Sequence, residues 1–171
     1  LAVEKLAGIP VPERAEYLRV LAAELQRIAS HLASIGFLAN DLGTWFSPLM
    51  YCMREREQIM DLFEMLCGAR VTPSYMRPGG VSRDLPDGFA ERCLRFLDSM
   101  PRILGEIEDM LTGNEIVINR LKNVGVLPAQ KAIDCSVSGP SLRGSGVKFD
   151  VRKAVPYSIY QRFDFDVPTG T

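Results

Sequence analysis

The single histidine of this chain, His31, follows Glu24 and Arg27 at helical spacing. The three fall at i, i+3 and i+7 and therefore share one stripe of a helix. A histidine so placed serves either as a satisfied core residue or as a proton carrier or ligand, and spacing alone leaves both open. A second row, Ala33, Phe37 and Asp41, steps by four along the opposite edge. An aromatic ring and a carboxylate on a face of otherwise small residues suit the border of a cavity for a flat apolar ligand with a polar head. The competing reading starts an exit turn at Asp41, within Asn40-Asp41-Leu42-Gly43, because Asn and Asp favour turns.

Other chemistries find less support. Arg77-Pro78-Gly79-Gly80 and Leu142-Arg143-Gly144-Ser145-Gly146 permit close backbone approach, but neither has the spacing of a phosphate-binding loop. Cys52, Cys67, Cys93 and Cys135 lie more than ten residues apart, and with one histidine they form no metal cluster, so no metal ligand is expected. Three of them fall in helical apolar patterns and read as reduced structural thiols. Nucleophilic catalysis would have to rely on His31, which stands mid-helix beside no obvious nucleophile. Lys and Arg total 20 against 21 Asp and Glu, with no basic stripe, so nucleic acid is a poor partner. No apolar run approaches the ~18–20 residues of a membrane span, and no stretch of this sequence reads as a signal peptide, so neither is expected within it. Beginning at Leu1 and stopping at Thr171 inside a strand-like stretch, the chain reads as cut at both ends.

The elements that must position these residues read as mainly α. A first helix is expected over 12–39, with Leu18, Leu21, Leu25, Ile28, Leu32, Ile35, Ala39 and Leu42 as its apolar seam. Ala15, Ala22, Ala29 and Ala33 form a small reverse face, which predicts a central helix packed on two sides. Ser47-Pro48 and Gly68 bracket a second helix at 47–67, with Cys52, Ile59, Phe63 and Leu66 inward and Arg54-Glu55-Arg56-Glu57 as a solvated charged turn. Residues 69–86 read as an ordered loop. A third helix is expected over 87–122, kinked at Pro101 and open to a break at Gly113. The three should pack as an antiparallel bundle, a domain of residues 1–125. Residues 126–171 read as an irregular extension: one short helix at Ala129–Ser136, a Gly/Ser-rich stretch, and brief alternation suited to an edge strand. Little strand is expected.

Several stretches carry a specific resemblance. ERAEYLRVLAAELQRIASHL, NDLG, REREQIMDLFEMLCGARV, YMRPGGVSRDLPD and SGPSLRGSGVKFDVRKAVPYSIYQRFDFDVP, in this order, are similar to the quinone-site subunit of respiratory complex I, the D-type family of NADH:quinone oxidoreductases. That family is itself related to the large subunit of [NiFe] hydrogenases. The resemblance implies a piece of the quinone-reducing module, peripheral to the membrane on the cytoplasmic face of the inner membrane, or its mitochondrial matrix or chloroplast stroma equivalent. Implied partners are the iron–sulfur cluster subunit, the membrane-arm subunit and a C-type subunit. Quinone is the implied substrate, with no cofactor held by this chain and NAD used elsewhere in the complex.

Carried over by residue, Asp41 matches an aspartate that orients a quinone-site histidine outside this chain, and Phe37 falls at a position lining the headgroup cavity. Glu24, Arg27, His31, Thr72, Arg77 and Arg143 are expected to be structural or near the cluster. Thr72 departs from many members, which have a histidine there. Two rival readings are a fragment of an energy-converting [NiFe] hydrogenase large subunit, which needs cysteine pairs not present here, and a helical interaction module with no redox role.

Overall fold

The computed structural model of the chain describes residues 1–170. Contacts divide it into two units, Leu1–Lys122 and a second beginning at Asn123. In the first, helix α1 spans Ala2–Ala7, α2 Glu13–Asp41 and α3 Ser47–Cys67. A two-strand hairpin, β1 at Met76–Arg77 and β2 at Gly80–Val81, lies within the long loop. Then come α4 at Phe89–Leu111 and α5 at Glu115–Leu121.

Half of the expected seam of α2 is buried: Leu18, Leu25, Leu32 and Ala39. The companion row is not the expected one. Ala15, Ala22, Ala29 and Gly36 face inward, whereas Ile35 is 41% exposed and Leu21 and Ile28 only flank the core. The small residues are thus part of the inner face and not a reverse face, because they let the α3 backbone come close. A Cβ on Gly36 would lie 3.1 Å from the Cβ of Cys52 and 3.2 Å from the Cα of Leu49. Nor is α2 the central helix. That place belongs to α3, which packs on both α2 and α4, while α2 finds the hairpin as its other neighbour.

Side chains that meet give the directions. Gly36 of α2 meets Leu49 and Cys52, near the turn, while Ala22 shares a cleft with Met60 and Phe63, so α2 and α3 run antiparallel. Arg92 pairs with Asp61 at 2.5 Å and Arg54 with Glu106 at 3.2 Å, which makes α3 and α4 antiparallel too. Cys52, Ile59, Phe63 and Leu66 are buried as their spacing predicts, and Gly68 closes α3 in the left-handed conformation at φ 78°. Ser47 is the first helical residue and not a cap, since its side chain makes no capping bond. The run through Pro101 continues unbroken to Leu111, and the break at Thr112–Asn114 falls at Gly113, with Asn114 capping α5 by accepting from the Ile116 N–H at 2.9 Å.

The second unit is less irregular than its composition suggests. Helix α6 covers Ala129–Asp134, the Gly/Ser-rich stretch itself folds as α7 over Gly139–Gly144, and α8 covers Val151–Ala154. The anticipated edge strand is absent: Tyr160–Arg162 forms a turn of 3-10 helix and the described residues after it belong to no strand. Alternation alone does not make a strand where no neighbouring strand offers a ladder. Among the described residues, only the two-residue pair β1 and β2 is strand. Asp150, buried, accepts from the Arg152 backbone N–H at 2.9 Å and from its guanidinium at 3.0 and 2.7 Å. The Arg152 guanidinium holds the Asp150 carboxyl down at about 2. That same guanidinium stacks over the Phe165 ring at 4.5 Å.

Candidate functional site

The site is built at the carboxyl end of α2. Phe37 and Asp41 lie one turn apart on its outward edge, Phe37 56% exposed and Asp41 exposed as the last helical residue. Among the described residues Asp41 has no ion pair and no hydrogen-bond partner for its carboxylate, although arginines fill the neighbouring helices. The turn that follows is tied back to the helix: the Thr44 hydroxyl donates to the Ala39 carbonyl at 2.7 Å. Gly43 takes φ 85° and Trp45 φ 61°. Left-handed backbone at tryptophan is uncommon, and it leaves the indole 83% exposed. Leu38, Phe46 and Met50 are each more than half exposed as well. A carboxylate without an internal partner thus stands beside a broad apolar and aromatic surface. Such a surface suits a flat apolar ligand whose polar head needs a carboxylate or a group oriented by one.

The remaining sequence candidates are not gathered there. Glu24 and Arg27 pair with each other at 3.0 Å, half-buried. His31 is exposed, which overturns its reading as a core histidine. Thr72 is exposed in left-handed backbone at φ 54°, its hydroxyl donating to the Val71 carbonyl at 2.7 Å. It lines a cleft together with Ala22 and Ala23. From Ala22 to Asp41 is nineteen residues of α2, roughly 28 Å at ~1.5 Å per residue. Arg77 is exposed and donates to the Ser74 carbonyl at 3.1 Å. Arg143, in the second unit, lies 3.8 Å from Asp150.

Sequence reasoning missed the residues that organise the RPGGV loop. Arg19 of α2 is 6% exposed, and its guanidinium donates to the Gly80 carbonyl at 3.0 and 2.9 Å, to the Arg77 carbonyl at 2.8 Å and to the Glu4 carboxylate. Glu4, equally buried, also accepts from the Gly79 N–H at 2.8 Å. The Arg19 guanidinium first, and the Gly79 N–H second, hold its carboxyl at about 2. Gly79, at φ 87°, gives the loop the reversal that brings its N–H to Glu4. The one signal in the sequence was an arginine one residue past a seam leucine, on a helix edge where a charge demands a partner. Glu55 was also misjudged: it is 2% exposed, and Arg54 and Gln58 donate to it, so the charged turn is only partly solvated.

Comparison with known proteins gives a family. The model of the respiratory-chain NADH dehydrogenase 49 Kd subunit family matches residues 41–171. The chain belongs to that family. Among similar curated proteins, the D subunit of NADH-quinone oxidoreductase from Desulforamulus reducens is 56% identical over 170 residues, 99% of this chain and 46% of that protein. A D subunit of the same enzyme from a Roseiflexus species is 54% identical over 171 residues, 100% of this chain and 46% of its own length. The D subunit from Bacillus anthracis is 53% identical over 170 residues, again 99% and 46%. The chain therefore spans about half the length of the relatives it matches. No described helix is long and apolar enough to cross a membrane.

Proposed function

We propose that this chain forms part of the quinone-reducing module of an NADH:quinone oxidoreductase, with the carboxyl end of α2 as one wall of the quinone-headgroup cavity. The observation that carries this is Asp41, exposed and unpartnered in this chain amid Phe37 and the exposed aromatic turn. Membership of the 49 Kd subunit family and the names of the relatives support it. Phe37 packs on the quinone ring. Asp41 orients a histidine supplied by a part of the protein outside this chain, holding it in one tautomer and favouring its protonated form, so that it delivers a proton to the reduced headgroup.

Electrons reach the quinone from NADH through iron–sulfur clusters in neighbouring subunits, and protonation at the headgroup starts proton translocation. NAD binds elsewhere in the complex, as the family resemblance implies. The module also meets membrane-arm and C-type subunits, on the cytoplasmic side of the membrane. Without the histidine, residues 1–171 alone have no quinone reductase activity.

Asp41→Asn in the assembled complex tests the site. The substitution keeps size and turn preference but removes the charge. NADH oxidation with a hydrophilic acceptor should persist, while NADH oxidation with quinone falls. Wild-type rates with both acceptors would reduce Asp41 to a turn residue and refute the assignment.

A further inference from the structure

Arg92, Arg95, Ser99 and Arg102 recur at i, i+3, i+7 and i+10 and so share one flank of α4. That flank borders a groove of about 460 Å³ against α3, which Arg54 of α3 also lines. From Arg92 to Arg102 the row is roughly 15 Å long at ~1.5 Å per residue. Its counter-charges are few. Arg54 and Arg102 share Glu106, and Arg54 also takes Glu55. Arg92 pairs with Asp61 at 2.5 Å, but Asp61 is divided with Arg70. Glu55 is buried, and both its oxygens are occupied, one by Arg54 and the other by Gln58.

Arg95 is the surplus cation. Glu91 stands four residues before it and Asp98 three after, both within pairing reach along a helix, yet neither makes an ion pair with it. Among the described residues Arg95 has no ion pair and no hydrogen bond, and it lines the groove instead. Arg102 gives one nitrogen to Glu106; Arg92 gives one to Asp61 and one to the weak acceptor Met65 Sδ at 3.6 Å. N–H donors therefore remain on both. Guanidinium groups held side by side repel one another, and an anion between them relieves that repulsion. Among the described residues lining the groove, Phe96 alone is apolar, and it is buried. An apolar side chain of a docking peptide finds no footing there, whereas a compact, multiply charged oxyanion matches several planar forks at once. We propose that the groove binds a phosphate group, with Arg95 and Arg102 as its principal donors and Arg92 beside them. The site is independent of Asp41 and of the quinone reading.

Arginine footprinting of the assembled complex tests it. Phenylglyoxal modifies unprotected guanidinium groups, and peptide mass spectrometry gives a rate for each arginine. Inorganic phosphate should slow modification of Arg95 and Arg102 several-fold, while chloride at equal ionic strength does not. Arg83, exposed in the loop before α4, is the internal control and should keep its rate. Arg95→Gln removes no ion pair or hydrogen bond among the described residues. It should raise the phosphate concentration that protects Arg102 by about tenfold, the worth of one hydrogen bond to a charged group. Should that variant fail to assemble, Arg102→Gln gives the converse reading at Arg95. A second arm replaces phosphate by dihexanoyl phosphatidic acid below its micelle concentration. Protection at lower concentration than phosphate assigns the site to a lipid headgroup, and equal or weaker protection assigns it to a free phosphate ion or ester. Phosphate and chloride acting alike would overturn the proposal, as would Arg83 slowed as much as Arg95. An Arg95 that is unreactive without any anion overturns it too, because neighbouring polypeptide then fills the groove.

Discussion

Gly36→Ala and Gly105→Ala make the same chemical change in two helices and should move stability in opposite directions. Each replaces a helical glycine, a gain of about 1 kcal/mol from propensity alone. At Gly105 in α4 a Cβ meets nothing within 4 Å, so the gain is expressed. At Gly36 the new methyl would stand 3.0 Å from Leu49 Cδ1, 3.1 Å from Cys52 Cβ and 3.2 Å from Leu49 Cα. Only the first can rotate away. The other two are fixed to the α3 backbone, so the helices must separate by a few tenths of an ångström. Overpacking of this kind costs about 1–3 kcal/mol. Subtracting the propensity gain leaves a net loss of roughly 1 kcal/mol, and the two variants should differ by about 2 kcal/mol. Denaturant unfolding of the full-length subunit, followed by circular dichroism, measures both. Equal stabilisation by the two substitutions would show that α2 and α3 are not in backbone contact at Gly36, and the account of the small inner row would be wrong.

Tyr75 is 2% exposed and its hydroxyl, buried, has no partner. Tyr75→Phe should be neutral or stabilising by up to about 1 kcal/mol in the same unfolding measurement; a loss above about 1 kcal/mol would mean the hydroxyl is satisfied in the intact protein. Arg19→Met should cost on the order of 3 kcal/mol by removing the charged donors from the Gly80 and Arg77 carbonyls, with faster amide exchange at Gly79 as the local signature. Unchanged exchange there would separate the loop's order from Arg19. Asp150 titrates at about 2 when folded against 3.8 ordinarily. Its contribution is therefore full above pH ~4 and fades as pH falls through ~2. Amide exchange in residues 139–163 should accelerate across that window in wild type and lose this acid dependence in Asp150→Asn; parallel profiles would contradict the pairing.

Periodicity and punctuation determined most of the helical content. The seven-residue spacing of Leu18, Leu25 and Leu32, two helical turns each, the Ser47-Pro48 start, the Gly68 stop and the Gly113 break all act through local backbone geometry, which a sequence displays directly. The motifs around Arg77 and Arg143 likewise carried the family. Tertiary structure decided what depends on a partner distant along the sequence. Two apolar rows overlap on α2, and which one turns inward was settled by how closely α3 can approach Ala22, Ala29 and Gly36. Burial of Arg19 required Glu4, fifteen residues earlier, and the hairpin carbonyls some sixty residues later. The tail formed no strand, because a strand needs a neighbour that alternation cannot supply. Asp41 lay in between: its place at the helix end was legible, whereas its want of a partner emerged only once every nearby arginine had been placed.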